Sequence, residues 1–292
     1  DWSSDVCSSD LADTTYSSGR CGLAAFSITA SGSTGTYVEF DDLRFYRVTD
    51  ESKSNSPTLL DSGVNTTDAA SFTTASVTPD ITRGYYLVVG TKGTAPAPTV
   101  TPSGCNATFT QVCGNDSTAG QNIAVYRLSW DAGKKPTTGQ ITMALSGTAT
   151  ICAWFLVELK GHAGGTSGNT VSQATGNVSS KTVTFTSSAY PDIAGTIRFA
   201  VLLSGGTANT VSPSSNWTEL SELSGSTPTT TWEIAYSWGS TMQSACTHSW
   251  TTQTNGWQVA FEARPPVSYP AMDGSQGGIG AALGSSSLLA VA

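Results

Sequence analysis

Charge is scarce in this chain. Asp, Glu, Lys and Arg make up 12 % of its 292 residues, and the 13 Lys and Arg stand singly rather than in clusters. Neutralising a phosphate backbone takes grouped cations, so nucleic acid is not expected as a partner. Histidine is scarcer still: only His162 and His248 occur, and neither has a counterpart at the equivalent place of the repeat described below. With no G-x-S-x-G elbow in a strand-turn-helix setting, a Ser-His-Asp nucleophile has no frame, and both histidines read as surface or turn residues. No CxxC pair or Cys/His cluster is present, which argues against a zinc site. No apolar run reaches the about 20 residues that a bilayer demands. The tail, GGIGAALGSSSLLAVA, is short and interrupted by Gly and Ser, so no membrane span is expected. No ten-residue stretch keeps a helical period.

What is abundant points one way. Almost three residues in ten are Ser or Thr, and Gly numbers 30. Thr suits a pleated surface while Gly and Ser fill turns, so the profile is that of an all-β protein in an extracellular or virion setting. Apolar content of 38 % with eight Trp supplies enough large apolar surface to offset chain entropy, which argues against disorder. The net charge of −8 becomes −5 without Asp1, Asp5 and Asp10. Besides Cys7, the cysteines are Cys21, Cys105, Cys113, Cys152 and Cys246. Cys105 and Cys113 bound CNATFTQVC, which reads as one strand; extended, their Cα atoms stand on the order of 27 Å apart, so a bond between them needs a bend. Pairing with a neighbouring strand, or five buried thiols, fits equally.

The opening run Asp1 to Leu11 (DWSSDVCSSDL) resembles a translated sequencing-library adapter, the mark of a metagenomic fragment, and is set aside from fold reasoning. Residues 20–48 alternate as a hairpin, RCGLAAFSIT and TYVEFDDLRFYRV around a turn at SGSTG, with the two-residue period slipping at Asp41 and Asp42. Two strands do not hold a domain alone. Residues 12–49 are therefore expected to be the C-terminal strands of a truncated domain, and 50–57 a polar linker.

An internal repeat follows. SFTTASVTPD (71–80) parallels TFTSSAYPD (184–192), YYLVVG (85–90) parallels FAVLLSG (199–205), and VTPSGCNATF (100–109) parallels VSPSSNWTE (211–219). AVYRLSW (124–130) matches IAYSW (234–238), and AWFLVELKG (153–161) matches WQVAFEARP (257–265). Short runs bounded by Gly, Pro, Asn and Ser predict two β-sandwich repeats, 58–163 and 164–266, followed by a flexible tail, 267–292. LVV, VLL and WFLV are near-continuous apolar runs and should be central strands buried on both faces; TVTFTSS, QITMAL and TWEIAYSW alternate and should keep one wet face.

These motifs carry two resemblances. GLAAF followed by YVEFDDLRFYRV resembles the closing strands of concanavalin-like or laminin-G-like jelly rolls. The repeat resembles tandem β-sandwich modules of phage tail and bacterial surface proteins. It has an early Leu-Val-Val strand, a Trp-Thr turn and a closing strand carrying Val157, Glu158 and Gly161 in one copy and Phe261, Glu262 and Pro265 in the other. The resemblance implies an all-β fold of two tandem antiparallel Ig-like or jelly-roll-like sandwiches plus a truncated jelly-roll hairpin. It implies a non-enzymatic structural or adhesive role, extracellular or in a virion, with glycans or a host cell surface as partners and room for a homo-oligomer. The alternative is an accessory carbohydrate-binding region of a secreted glycoside hydrolase whose catalytic domain lies upstream.

Few residues offer chemistry, and no catalytic residue is assigned. Glu219 and Glu222 lie at i and i+3, opposite faces of a regular strand, which weakens them as a hydrolytic pair. Glu158 and Glu262 share a repeat position and read as a structural pair, accepting backbone N–H bonds or pairing with Lys160 or Arg264. Asp41 and Asp42 are candidate Ca²⁺ ligands in a lectin-like jelly roll, against the plainer reading of a solvated edge that discourages strand pairing. No other cofactor is expected. Trp217, after Asn216 in a turn, and Trp250, in a polar run, are candidate glycan-stacking platforms.

Overall fold

The computed structural model describes residues 56–265, apart from 94–97, 118–119, 131–133, 163–165, 186–194, 206–209, 228 and 239–241. Asp41, Asp42, the 12–49 hairpin, most of the 50–57 linker and the tail lie outside the described residues. Among those described, every element is a strand and every pairing is antiparallel.

The β-branched and aromatic runs of the first half become β1 (Thr58–Asn65), β2 (Ala69–Thr73), β3 (Arg83–Gly93), β4 (Val100–Gly104), β5 (Thr108–Ser117), β6 (Gln121–Ser129) and β7 (Ile141–Lys160). Their sheet order is β1-β7-β3-β6-β5, with β2 and β4 also on β7. The division of labour along β7 explains how one strand serves both sets. Its first half pairs with β2 and β4, from Ala149 onward it pairs with β3, and from Cys152 also with β1. The Tyr126 hydroxyl of β6 donates to the Val100 carbonyl of β4 at 2.6 Å, although these strands are not ladder neighbours. Strands β2, β4 and the start of β7 thus form a second layer over β3 and β6. Tyr85, Leu87, Val89, Ile141 and Met143 fill the space between.

The second half repeats the plan with β8 (Thr166–Thr184), β9 (Ile197–Gly205), β10 (Val211–Pro213), β11 (Thr218–Ser226), β12 (Thr229–Trp238) and β13 (Ala245–Arg264). The order β8-β13-β9-β12-β11, with β10 on the first half of β13, matches the first sheet strand for strand once β8 stands for β1 and β2 together. Register refines the repeat. Tyr85 faces Glu158 across the first ladder and Arg198 faces Glu262 across the second. Tyr86, not Tyr85, is therefore the counterpart of Phe199, and both rings lie within about 5 Å of the Phe261 ring, at 5.1 and 4.9 Å between centroids.

The largest core lies between the two sheets. Tyr86, Phe155 and Val157 from one meet Phe199, Trp232 and Phe261 from the other, all buried within a single unit, Val48–Pro270. Two glycines set the closeness of approach: a Cβ on Gly90 would overlap the Trp232 indole, and one on Gly225 would overlap Ile151. β3, β9 and the second half of β7 are buried on both faces, as their apolar runs predict. QITMAL keeps its wet face, with Ile141 and Met143 buried and Ala144 exposed. TWEIAYSW does not. β12 is buried on both sides, because Trp232 and Ile234 face the other sheet while Glu233 and Ala235 face the interior of their own half.

CNATFTQVC is not one strand. Cys105 and Asn106 turn at φ 53° and 55°, and β5 begins only at Thr108. Cys105, Cys113, Cys152 and Cys246 are free thiols. Burial pushes the Cys113, Cys152 and Cys246 thiols up to about 12.

Candidate functional site

The repeat pair Glu158 and Glu262 stands where each closing strand ends. Glu158 is 5 % exposed, bonded to the Arg83 guanidinium and to the Tyr85 hydroxyl at 3.0 Å. Glu262 is 2 % exposed; its Oε1 accepts from Arg198 Nε at 2.9 Å and its Oε2 from Arg264 at 2.6 Å. Arg264 was an expected partner. The partner of Glu158 is Arg83 rather than Lys160, because Arg83 approaches from the adjoining strand, opposite Lys160. Both carboxylates are buried and held by an arginine and a second donor, an arrangement that fixes the strand ends.

Beside the Arg83 pair the surface opens into a pocket of about 320 Å³. It lies where β3 begins and β6 ends, beside His162 after β7 and Thr166 at the start of β8. Arg83, Arg127, Trp130, Tyr86, His162 and the exposed Ile81 are among its described lining residues. Arg127 sits opposite Tyr86 in the β3–β6 ladder, one residue before Leu128 turns inward. Trp130 is half-buried and locked: its Nε1 donates to the Cys105 carbonyl at 3.0 Å, and its ring stands edge-on to Tyr85 at 5.7 Å. His162 is 4 % exposed, which overturns the surface reading. Its Nδ1 and Nε2 each lie 2.9 Å from a carbonyl oxygen, of Lys160 and Gly195.

A second polar cluster is enclosed within the second half. Glu233 on β12 and Gln258 on β13 flank Leu202 of β9, and His248 comes over them from the first half of β13. All three side chains are fully buried. Gln258 Nε2 donates to His248 Nδ1 at 2.6 Å, which places the ring proton of the neutral imidazole on Nε2, 3.9 Å from Glu233 Oε1. Neither Glu233 oxygen has a hydrogen-bond partner. Burial, reinforced by Glu219 and Glu222, raises the Glu233 carboxyl to about 8, and burial lowers His248 to about 3. At neutral pH both are uncharged. Glu219 and Glu222 come to bear on the same carboxyl because the register shifts between Glu219 and Ser221 and undoes the opposite-face rule of a regular strand. Sequence reasoning missed Glu233, since its alternating strand was assigned a wet face.

Trp217 and Trp250 are core residues, not platforms. Trp217 is 7 % exposed, donates to the Ala245 carbonyl at 2.8 Å and stacks on Phe185; Trp250 is 5 % exposed against Leu202 and Val211. Their polar neighbours in sequence alternate onto the other face of the strand or into the turn, which disguised the burial. Trp130, by contrast, ends the apolar run of β6 just before DAGKKP, and that position was the available cue to a half-exposed indole. Among the described residues no three His, Cys, Asp or Glu are grouped to hold a metal ion, and no helix is long and apolar enough to cross a membrane.

No protein-family model matches the chain, and neither a curated protein nor a solved structure shows significant similarity to it. The class that the fold defines is all-β, built of antiparallel sheets in packed layers.

Proposed function

We propose that this chain is a non-enzymatic structural and adhesive element of a phage tail or a bacterial cell surface, working outside the cytoplasm or in a virion. The observation that carries the reading is the apolar core shared by the two sheets. Two homologous halves that bury their broad faces against one another cannot pivot without exposing Phe155, Phe199 and Phe261, so the pair behaves as a rigid spacer. A Thr-rich, charge-poor composition is consistent with a display role. The alternative, an accessory carbohydrate-binding region of a secreted glycoside hydrolase, draws support from the Trp130 pocket alone. Gold-labelled antibody against residues 56–265 on particles and cells of the source sample tests the proposal: decoration of tails or cell envelopes is expected, and label confined to the cytosol contradicts it.

A further inference from the structure

We infer that the face joining the two halves is a two-fold interface between copies of one module, closed within a single chain, and that Trp232 and Gly90 have made it one-sided. The strand contacts across the face carry the two-fold relation. By sheet order β1 has its counterpart in β8, β5 in β11, β3 in β9, β6 in β12 and β7 in β13. Two sheets stacked by translation would set β1 over β8 and β5 over β11. Instead β1 packs against β11 and β5 against β8. Exchanging the halves turns one of these contacts into the other, which is the property of an isologous face. The same exchange recurs nearer the middle. The Trp232 indole of β12 fills the space beside Gly90 of β3, and the Gln121 side chain of β6 fills the space beside Gly205 of β9. Ile151 of β7 fills the space beside Gly225 of β11, and β13 likewise touches β5.

Register then shows where the two versions of the face have parted. With Tyr86 aligned to Phe199, Gly90 falls at Leu203, and their ladder partners Ile123 and Trp232 fall together. The two-fold that sets Trp232 against Gly90 must therefore set Ile123 against Leu203; both are fully buried in the shared core. Two second-half faces would drive an indole onto each Leu203, and two first-half faces would leave each Ile123 over a bare glycine. Only the mixed pair fills both places. Sizes are traded elsewhere on the face as well: Ala153 stands where the other half has Trp257, and Phe155 where it has Val259. Steric exclusion of like pairs is one way an interface comes to prefer a single partner. The partner that each broad face fits is thus the other version of the same module. This inference concerns the face alone and stands apart from the spacer role.

Thermal melting of the whole chain tests it at the mirror pair, a contact that the two-fold requires. Leu203→Gly and Ile123→Trp are each expected to lower the melting temperature by about 5–10 °C, one by opening a socket and the other by overpacking. Together they should melt above either single variant, because the new indole enters the new socket. Leu203→Ala with Ile123→Phe repeats the test in smaller steps and decides it should a full-size variant fail to fold. The knob and socket themselves are checked by Gly90→Leu, which should lower the melting temperature by at least as much and be rescued by Trp232→Ile. Additive losses at the mirror pair, in both its full-size and its smaller form, would set Ile123 apart from Leu203 and overturn the two-fold face. Failure of Trp232→Ile to rescue Gly90→Leu would overturn its one-sidedness.

Discussion

The two halves share a strand order and a face but differ inside. Register equates Ala124 with Glu233, because Val89 faces Ala124 in one ladder and Leu202 faces Glu233 in the other, with Tyr86 aligned to Phe199. By the same ladders Gly114 corresponds to Glu222, Met143 to His248 and Trp154 to Gln258. The first interior is therefore apolar where the second holds an acid, an imidazole and an amide. A β-sandwich tolerates this exchange because the shared core between the sheets, which carries most of the large buried side chains, is untouched by it. The interiors of the two halves differ in polarity, while the face that joins them is apolar from both sides.

Transplanting the difference gives the largest effect. Ala124→Glu places an unpaired carboxyl where the first half has none to match it, and is expected to cost about 3–5 kcal/mol in urea unfolding. The reverse exchange, Glu233→Leu with His248→Met, should be neutral or stabilising. Cutting the shared face is of similar size: Phe261→Ala should cost about 3–5 kcal/mol and lower the stability of both halves together.

The pH dependence separates the interiors next. Folding raises Glu233 from 4.5 to about 8, so above pH 4.5 the unfolded chain releases a proton that the folded chain keeps, and stability falls as pH rises toward 8. Folding lowers His248 from 6.5 to about 3, so below pH 6.5 the unfolded chain takes up a proton that the folded chain refuses, and stability falls as pH drops toward 3. Between 4.5 and 6.5 the two slopes oppose and cancel. The contribution of the pair is thus flat there and declines on either side by about 1 kcal/mol per pH unit. Unfolding midpoints of Glu233→Gln against the parent, scanned from pH 5 to 8.5, should show the alkaline decline removed. An unchanged decline would assign it elsewhere. The smallest effect is at the exchanged Trp154, whose Nε1 donates to Asp61 at 2.7 Å in a half-buried setting. Trp154→Phe should cost about 1 kcal/mol by thermal melting.

The repeat and the doubly buried strands were legible because apolar runs and turn residues report on a strand's own ladder. LVV, VLL and WFLV became β3, β9 and the second half of β7. What lay across the sheet was not legible. Alternation distinguishes two faces but does not say whether the polar one meets water or another layer, and so Glu233, Trp217 and Trp250 were assigned to the wrong side. The pocket had no signature at all, since Arg83, Arg127, Trp130 and His162 are spread over 80 residues and meet only where strand ends and a turn converge. The Glu158 and Glu262 positions were visible as a repeat, but not their partners Arg83 and Arg198, which stand two residues apart in register, Arg83 opposite Lys160 and Arg198 opposite Glu262, the counterpart of Glu158.

Native-state hydrogen exchange of the whole chain, read separately on β3 with β6 and on β9 with β12, tests the shared core most directly. If the two sheets stand or fall together, both pairs open with the same free energy and Phe261→Ala lowers both by the same amount. Independent opening, with Phe261→Ala loosening β9 and β12 while β3 and β6 keep their protection, would contradict the account.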